Sequence, residues 1–221
     1  VDLIERLQAQ GVKWVINTGR EMGSLMESLG RASLRVRPDF LILVEREIYV
    51  HSNARYVALD PWNARCTADH AALFEQIAGE LPEMRRWVEK NFPDTTIYED
   101  IYSPFCLIAN SNEESDEIQE ALEARCETIV DLAFVRNDVY SRVCHAAYSK
   151  GTALAHLAAK LGLDSARTLA AGDHLNDLPM LSSDVAGWLV APVNAVPTVK
   201  RRIIEEGGHV SELGHGYGVA A

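Results

Sequence analysis

Between Leu169 and Leu181 the chain reads LAAGDHLNDLPML, which places two carboxylates and an amide, Asp173, Asn176 and Asp177, within five positions of one another. They follow a small-residue strand pattern that ends at Gly172. Two further polar clusters occupy comparable places. Thr18-Gly19-Arg20 follows the β-branched stretch VKWVIN, and Lys150 opens the helical pattern SKGTALAHLAAKLGL. Each cluster alone is commonplace: Thr-Gly as a turn, a lysine solvated in a first helical turn, Asp and Asn as turn formers. Together they describe a site. A threonine hydroxyl and the backbone N–H groups at a helix start donate to phosphate oxygens, and a lysine ammonium neutralises phosphate charge. A hard cation such as Mg2+ takes a carboxylate, water and phosphate oxygens. Asp173 suits the ligand role, Asn176 can offer its amide to a phosphate, and Asp177 can orient Lys150 or a metal-bound water.

Elements that could position these groups follow from apolar spacing. Leu3, Ile4 and Leu7 predict a helix that Gly11 ends, and Met22, Leu25, Met26 and Leu29 predict another. FLILV, residues 40–44, is a continuous apolar run, as in a strand buried on both faces of a parallel sheet. The rhythm changes near residue 50. EIYVHSNARYVAL reads as an antiparallel ribbon leaving the sheet, and helices are expected over 68–78 and 84–90. TTIYEDIY, PFCLIAN, TIVDLAFV and VYSRVCHA read as strands, with the acidic helix EESDEIQEALEARC among them, Ile118, Leu122 and Cys126 on one side. After Lys150 the α/β rhythm returns, with Ala153, Leu154, Leu157, Ala158 and Leu161 facing inward. A strand over RTLAAGD, a short helix over LPMLSS, a strand over AGWLVAP and a helix over VPTVKRRIIEEGG complete the chain. The fold class expected is α/β: a doubly wound, Rossmann-like core over 1–52 and 143–221, with an α+β domain over 53–142 inserted. In an open parallel sheet ligands bind at the carboxyl ends of strands, where the three clusters fall.

Composition narrows the function. Of 221 residues 48% are apolar, enough for a core, and the net charge is −11, from 21 basic and 32 acidic side chains. That balance lacks the basic footprint of a general nucleic-acid binder, while leaving room for a local anion pocket. The cysteines Cys66, Cys106, Cys126 and Cys144 form no CxxC, which suits a reduced, cytoplasmic setting. No apolar run reaches the length of a membrane span.

INTGR, SKGTAL and GDHLNDLPML, in this order, resemble motifs two, three and four of the haloacid dehalogenase (HAD) superfamily of phosphatases. The GDxxND form with a long insertion is similar to the Cof-type sugar phosphatases and their sucrose-phosphate and mannosyl-phosphoglycerate relatives, whose insertion is a C2-type cap. The stretch APVNAVPTVK is similar to the family's segment after motif four. The resemblance implies a Mg2+-dependent phosphatase acting on a small phosphorylated metabolite through an aspartyl-phosphate. Catalytic roles would fall to Thr18, Lys150, Asp173 and Asp177, phosphate binding to Thr18, Gly19, Arg20, Lys150 and Asn176, and the metal to Asp173. A phosphomutase, a glycosyl-phosphate-specific phosphatase and a non-catalytic phosphate-binding relative are the alternatives. Motif one, the DxDxT strand that carries the nucleophile and the acid/base, has no counterpart in the chain, and the expectation is that it lies upstream of Val1.

Other residues carry bland readings beside sharper ones. His174 reads as an exposed loop histidine, Cys144 as core or sheet, and Arg20 equally as a salt-bridge partner. Asn53, Arg55, Trp62 and Tyr102 could meet a sugar, with ordinary packing the simpler reading.

Overall fold

A computed structural model describes residues 2–32 and 34–220. In chain order the elements are α1 (Asp2–Ala9), β1 (Val15–Asn17), α2 (Met22–Ala32), β2 (Phe40–Leu43), β3 (Glu47–Ser52), β4 (Arg55–Ala58), α3 (Trp62–Gln76) and α4 (Leu81–Asn91). Next come β5 (Thr96–Asp100), β6 (Ser103–Ile108), α5 (Asn112–Cys126), β7 (Leu132–Asn137), β8 (Tyr140–His145) and α6 (Lys150–Lys160). The chain closes with β9 (Leu169–Ala171), a 3₁₀ turn over Leu175–Met180, β10 (Trp188–Ala191), α7 (Pro197–Glu205), β11 (His209–Val210) and α8 (His215–Ala220). The chain divides into two compact units, 1–64 with 149–221, and 65–148.

In the first unit β1 pairs with β2 in parallel, and the β3–β4 hairpin extends that sheet antiparallel from β2. A second sheet, order β11-β10-β9, is parallel throughout. β1 and β9 are each edge strands, with one side unpaired among the described residues. The apolar run behaves as its composition requires: all four residues of β2 are buried, Phe40 and Ile42 in one core and Leu41 and Leu43 in another beneath α2 with Leu25. The first core also takes Ala153 and Leu157 of α6, Ala170 of β9 and Leu189 of β10, so residues from both sheets share it. Leu161 departs from expectation. It caps α6 ahead of Gly162, whose φ of +68° turns the chain, and is 37% exposed.

The second unit is an antiparallel sheet of order β5-β6-β8-β7 with three helices. Phe105, Leu107, Ile118, Leu122, Phe134 and Val143 form its core. The acidic α5 buries the predicted Ile118, Leu122 and Cys126 and is capped by Ser111, whose hydroxyl accepts the Glu114 N–H at 3.2 Å. All four cysteines are buried and none is in a disulfide among the described residues, and burial pushes the Cys106 and Cys126 thiols up to about 11.

Three sequence expectations shift. The ribbon over 47–58 does not leave the sheet, because its hydrogen bonds run to β2, from Leu43↔Glu47 to Phe40↔Val50. The units therefore meet at 64/65 and 148/149 rather than at 52/53 and 142/143, with β8 completing the second sheet. Helix α3 begins at Trp62, six residues before Ala68, where the Asp60 carboxylate accepts the Ala64 N–H at 3.2 Å.

Candidate active site

Lys150 is the first residue of α6, whose start is fixed by a capping box between Ser149 and Thr152. Its ammonium donates to Asp177 Oδ1 at 2.6 Å, and each side chain is 7% exposed. The other Asp177 oxygen accepts the backbone N–H groups of Asp173 at 2.9 Å and His174 at 3.1 Å. One buried carboxylate thus closes the loop after β9 on itself and ties it to α6. Both flanking glycines are required by that closeness. A Cβ on Gly151 would stand 2.0 Å from the Pro179 carbonyl oxygen, and one on Gly172 would stand 2.5 Å from the Asp177 Cβ. The predicted helix over LPMLSS is instead the 3₁₀ turn Leu175–Met180, drawn earlier because Asp177 folds back on residues 173 and 174.

The loop after β1 joins the same centre. Thr18 Oγ1 accepts the Arg20 N–H at 3.2 Å, and Thr18's carbonyl accepts the Glu45 N–H at 3.0 Å. Glu45 is 7% exposed, sits at φ 70° next to Val44 at φ 44°, and its Oε1 accepts Asn176 Nδ2 at 2.7 Å. A Cβ on Gly19 would lie 3.2 Å from Glu45 Oε1 and 3.8 Å from Asn176 Nδ2. Two adjacent non-glycine residues in the left-handed region mark a backbone held there by its surroundings. Asn17, the last residue of β1, donates from Nδ2 to the Lys150 carbonyl at 3.0 Å. Its Oδ1 is buried without a hydrogen-bond partner among the described residues.

The structure therefore brings Thr18, Gly19, Lys150, Asp173, Asn176 and Asp177 into one hydrogen-bonded neighbourhood, with Asn17 and Glu45 as members that sequence reasoning misses. The signal for Glu45 is an acidic residue directly after a buried apolar strand. Asn176 gives its amide to Glu45, and Asp177 positions Lys150. Arg20 is exposed, its guanidinium donating to Ser24 at 3.2 Å and Ser28 at 3.4 Å along α2. His174 is half-buried rather than exposed, drawn in where its N–H donates to Asp177. Asn53 and Arg55 belong to the far end of the β3–β4 hairpin, near Phe40 rather than Leu43, and so lie away from the strand ends that carry Thr18 and Glu45. Trp62 donates to the Arg46 carbonyl at 2.7 Å and stacks on His156 with centroids 4.4 Å apart. Tyr102 lies in the second unit, where its N–H donates to Asp100 at 2.7 Å. Cys144 is core, as expected.

The donor set suits a hard cation in part. The exposed Asp173 carboxylate has no hydrogen bond or ion pair among the described residues, so its oxygens are available. No three His, Cys, Asp or Glu side chains among the described residues are placed to hold a metal, so further oxygens would have to come from elsewhere.

Comparison with known proteins gives the family. Residues 39–212 match the model of a family described as haloacid dehalogenase-like hydrolase; the match contains Glu45, Lys150, Asp173, Asn176 and Asp177. Among curated proteins, "Putative phosphatase YxeH" of Bacillus subtilis (strain 168) is 23% identical over 225 residues, covering 90% of this chain and 81% of its own. The structure of the sucrose-phosphatase of Synechocystis sp. PCC6803, in complex with sucrose and phosphate, superposes with TM-score 0.73 at 17% identity, covering 99% of this chain and 87% of that one. A haloacid dehalogenase-like hydrolase from B. subtilis superposes with TM-score 0.63 at 21% identity, covering 99% and 89%. No helix among the described residues is long and apolar enough to cross a membrane. With an α/β core, an inserted cap and a family match over most of its length, this chain belongs to the haloacid dehalogenase-like hydrolases.

Proposed function

We propose that the protein is a Mg2+-dependent phosphomonoester hydrolase acting on a small phosphorylated metabolite, a sugar phosphate in the first instance. The observation that carries this reading is the buried Lys150–Asp177 pair locked to the loop that presents the free Asp173 carboxylate. Thr18 and the N–H groups that follow it offer donors to phosphate oxygens. Lys150, its ammonium held by Asp177, offsets charge on the transferring group. Glu45 keeps Asn176 in one rotamer beside Gly19. Asp173 would hold the cation, which when bound supplies neutralisation of the phosphate against approaching carboxylates. β1 and β9 each keep an open side among the described residues, and the attacking carboxylate is assigned to a strand that would pair there. The sugar class rests on the sucrose and phosphate held by the sucrose-phosphatase relative in fold. The inserted second unit is assigned the choice of substrate.

The test is a phosphate-release screen of the natural-length protein over hexose phosphates and other monoesters, with and without MgCl2. Mg2+-dependent release from a sugar phosphate, falling at least about 100-fold in Asp173→Ala, is expected. Release from none of them refutes hydrolysis, and interconversion of phosphate positions without release identifies a mutase.

A further inference from the structure

The second unit gathers titratable side chains beside its apolar core, where α3 meets the segment after β8. At their centre is His70, 4% exposed. His70 Nδ1 lies 2.8 Å from the Cys66 carbonyl oxygen one turn earlier, and Nε2 accepts the His145 N–H at 3.1 Å. A carbonyl only accepts and a backbone N–H only donates, so the ring is neutral with its proton on Nδ1. Around it on α3 are Cys66, its Sγ 3.6 Å from Nδ1, and Asp69, with the ring of Phe74 edge-on. From β8 and the segment after it come the rings of His145 and Tyr148, at 5.7 and 5.4 Å between centroids. The Tyr148 hydroxyl donates to the Asp69 carboxylate, with Arg65 nearby; burial and then Asp69 push that hydroxyl up, so it stays a donor. His145 Nδ1 accepts the Ala147 N–H at 3.2 Å.

The chain enters this unit at 64/65, along α3, and leaves it at 148/149. His70 therefore joins the incoming helix to the outgoing segment. We propose that His70 is an acid-sensitive latch: neutral, it holds residues 145–148 to α3, and protonated, it releases them while the rest of the unit stays folded. Protonation can occur only at Nε2, because Nδ1 already carries a hydrogen. The new N–H would point at the His145 N–H, setting donor against donor, and would place an imidazolium where only 4% of the residue is exposed. Asp69, the carboxylate beside it, is committed to the Tyr148 hydroxyl. Opening of 145–148 returns the ring to water, where it ionises at about 6.5. The latch is thus closed above that pH and weakens as pH falls below it. Release stays local because the unit's apolar core, from Leu73 and Ile77 of α3 to Val143 of β8, does not draw on residues 145–148.

The experiment is amide hydrogen exchange of the whole chain at neutral and mildly acid pH, each rate divided by its unstructured value, with nitrogen NMR of the imidazole rings. At neutral pH His70 should show the Nδ1–H tautomer. Between pH 7 and pH 5, protection of the amides of residues 145–148 should fall by about 20-fold, the ratio for a ring that ionises at about 6.5 only when released. Core amides such as those of Leu107 and Val143 should change by less than about threefold. His70→Gln, whose amide oxygen can still accept the His145 N–H, should remove the pH dependence. His145→Asn, which keeps an acceptor for the Ala147 N–H, should retain it. An Nε2–H tautomer at neutral pH, protection at 145–148 that ignores pH, an equal loss across the core, or an undiminished pH dependence in His70→Gln would each overturn the proposal. The wild-type readouts decide it even where a variant does not fold, and none depends on hydrolytic activity.

Discussion

Replacing Asp177 by Asn removes one negative charge from the most enclosed part of the site and leaves its shape nearly intact. The wild-type carboxylate serves three donors, Lys150 Nζ at 2.6 Å and the N–H groups of Asp173 and His174 at 2.9 and 3.1 Å. Asparagine retains one oxygen for the backbone donors but strands the Lys150 ammonium, 7% exposed, without its counter-charge. Breaking a buried ion pair from one side costs about 3–5 kcal/mol, a large share of the roughly 5–15 kcal/mol that keeps a protein folded. At roughly 2–4 °C per kcal/mol for a chain of this size, the melting temperature should fall by on the order of 10 °C. Urea denaturation of wild type, Asp177→Asn, Lys150→Met and the double variant closes a cycle. Lys150→Met should cost less than Asp177→Asn, because the orphaned carboxylate keeps its two backbone donors. The double variant should be more stable than the sum of the single losses by at least about 1 kcal/mol. A loss below about 1 kcal/mol in Asp177→Asn, or strict additivity, would refute the claim that this pair organises the loop.

Three further outcomes are expected. Gly151→Ala should destabilise by about 1–3 kcal/mol or more, since its methyl would meet a backbone carbonyl, at 2.0 Å from Pro179 O, that cannot rotate away; unchanged melting would remove the close-packing argument. Glu45→Ala should cost about 1.5–3 kcal/mol through the lost charged hydrogen bond to Asn176 and lower kcat more than it raises KM, while Glu45→Gln, which can still accept from Asn176 Nδ2, should recover most of both; equal losses in the two variants would contradict a positioning role. Asp39 is held below its ordinary 3.8, because hydrogen bonds from Gln8, the Trp14 N–H and Lys13 outweigh the upward push of burial. Its stabilising contribution is therefore present above pH 3.8 and lost as pH falls through the lower folded value, so the deficit of Asp39→Ala measured at pH 7 should shrink toward zero in acid; a deficit that grows on acidification would contradict that sign.

Much of the architecture is legible because it rests on periodicity. The apolar run of β2, the stripe of α5 and the small-residue face of α6 each state how they are buried. The start of α3 escapes such a reading because WNARCTADH carries no apolar rhythm, although Asp60-Pro61 is a helix-start signal that needs none. The β3–β4 ribbon reads as lying outside the sheet because alternation along a strand does not say which neighbour it pairs with. In the site, Lys150, Asp173, Asn176 and Asp177 stand out because short spacing fixes them to one turn and one helix start. Glu45 does not. Its role depends on a left-handed backbone at φ 70° and on Asn176, 131 positions away, and an acidic residue after an apolar run does not by itself announce that long-range contact.

The central claim is that the loops after β1 and β9 form, with Lys150, one centre for phosphate and a divalent cation. Calorimetric titration of inorganic phosphate into the natural-length protein, with and without MgCl2, tests it most directly, in wild type and in Asp173→Ala. The account predicts that Mg2+ tightens phosphate binding by about tenfold or more in wild type, that phosphate tightens Mg2+ by the same factor, and that Asp173→Ala removes the coupling. Phosphate binding that ignores Mg2+, or a coupling that survives in Asp173→Ala, would contradict it.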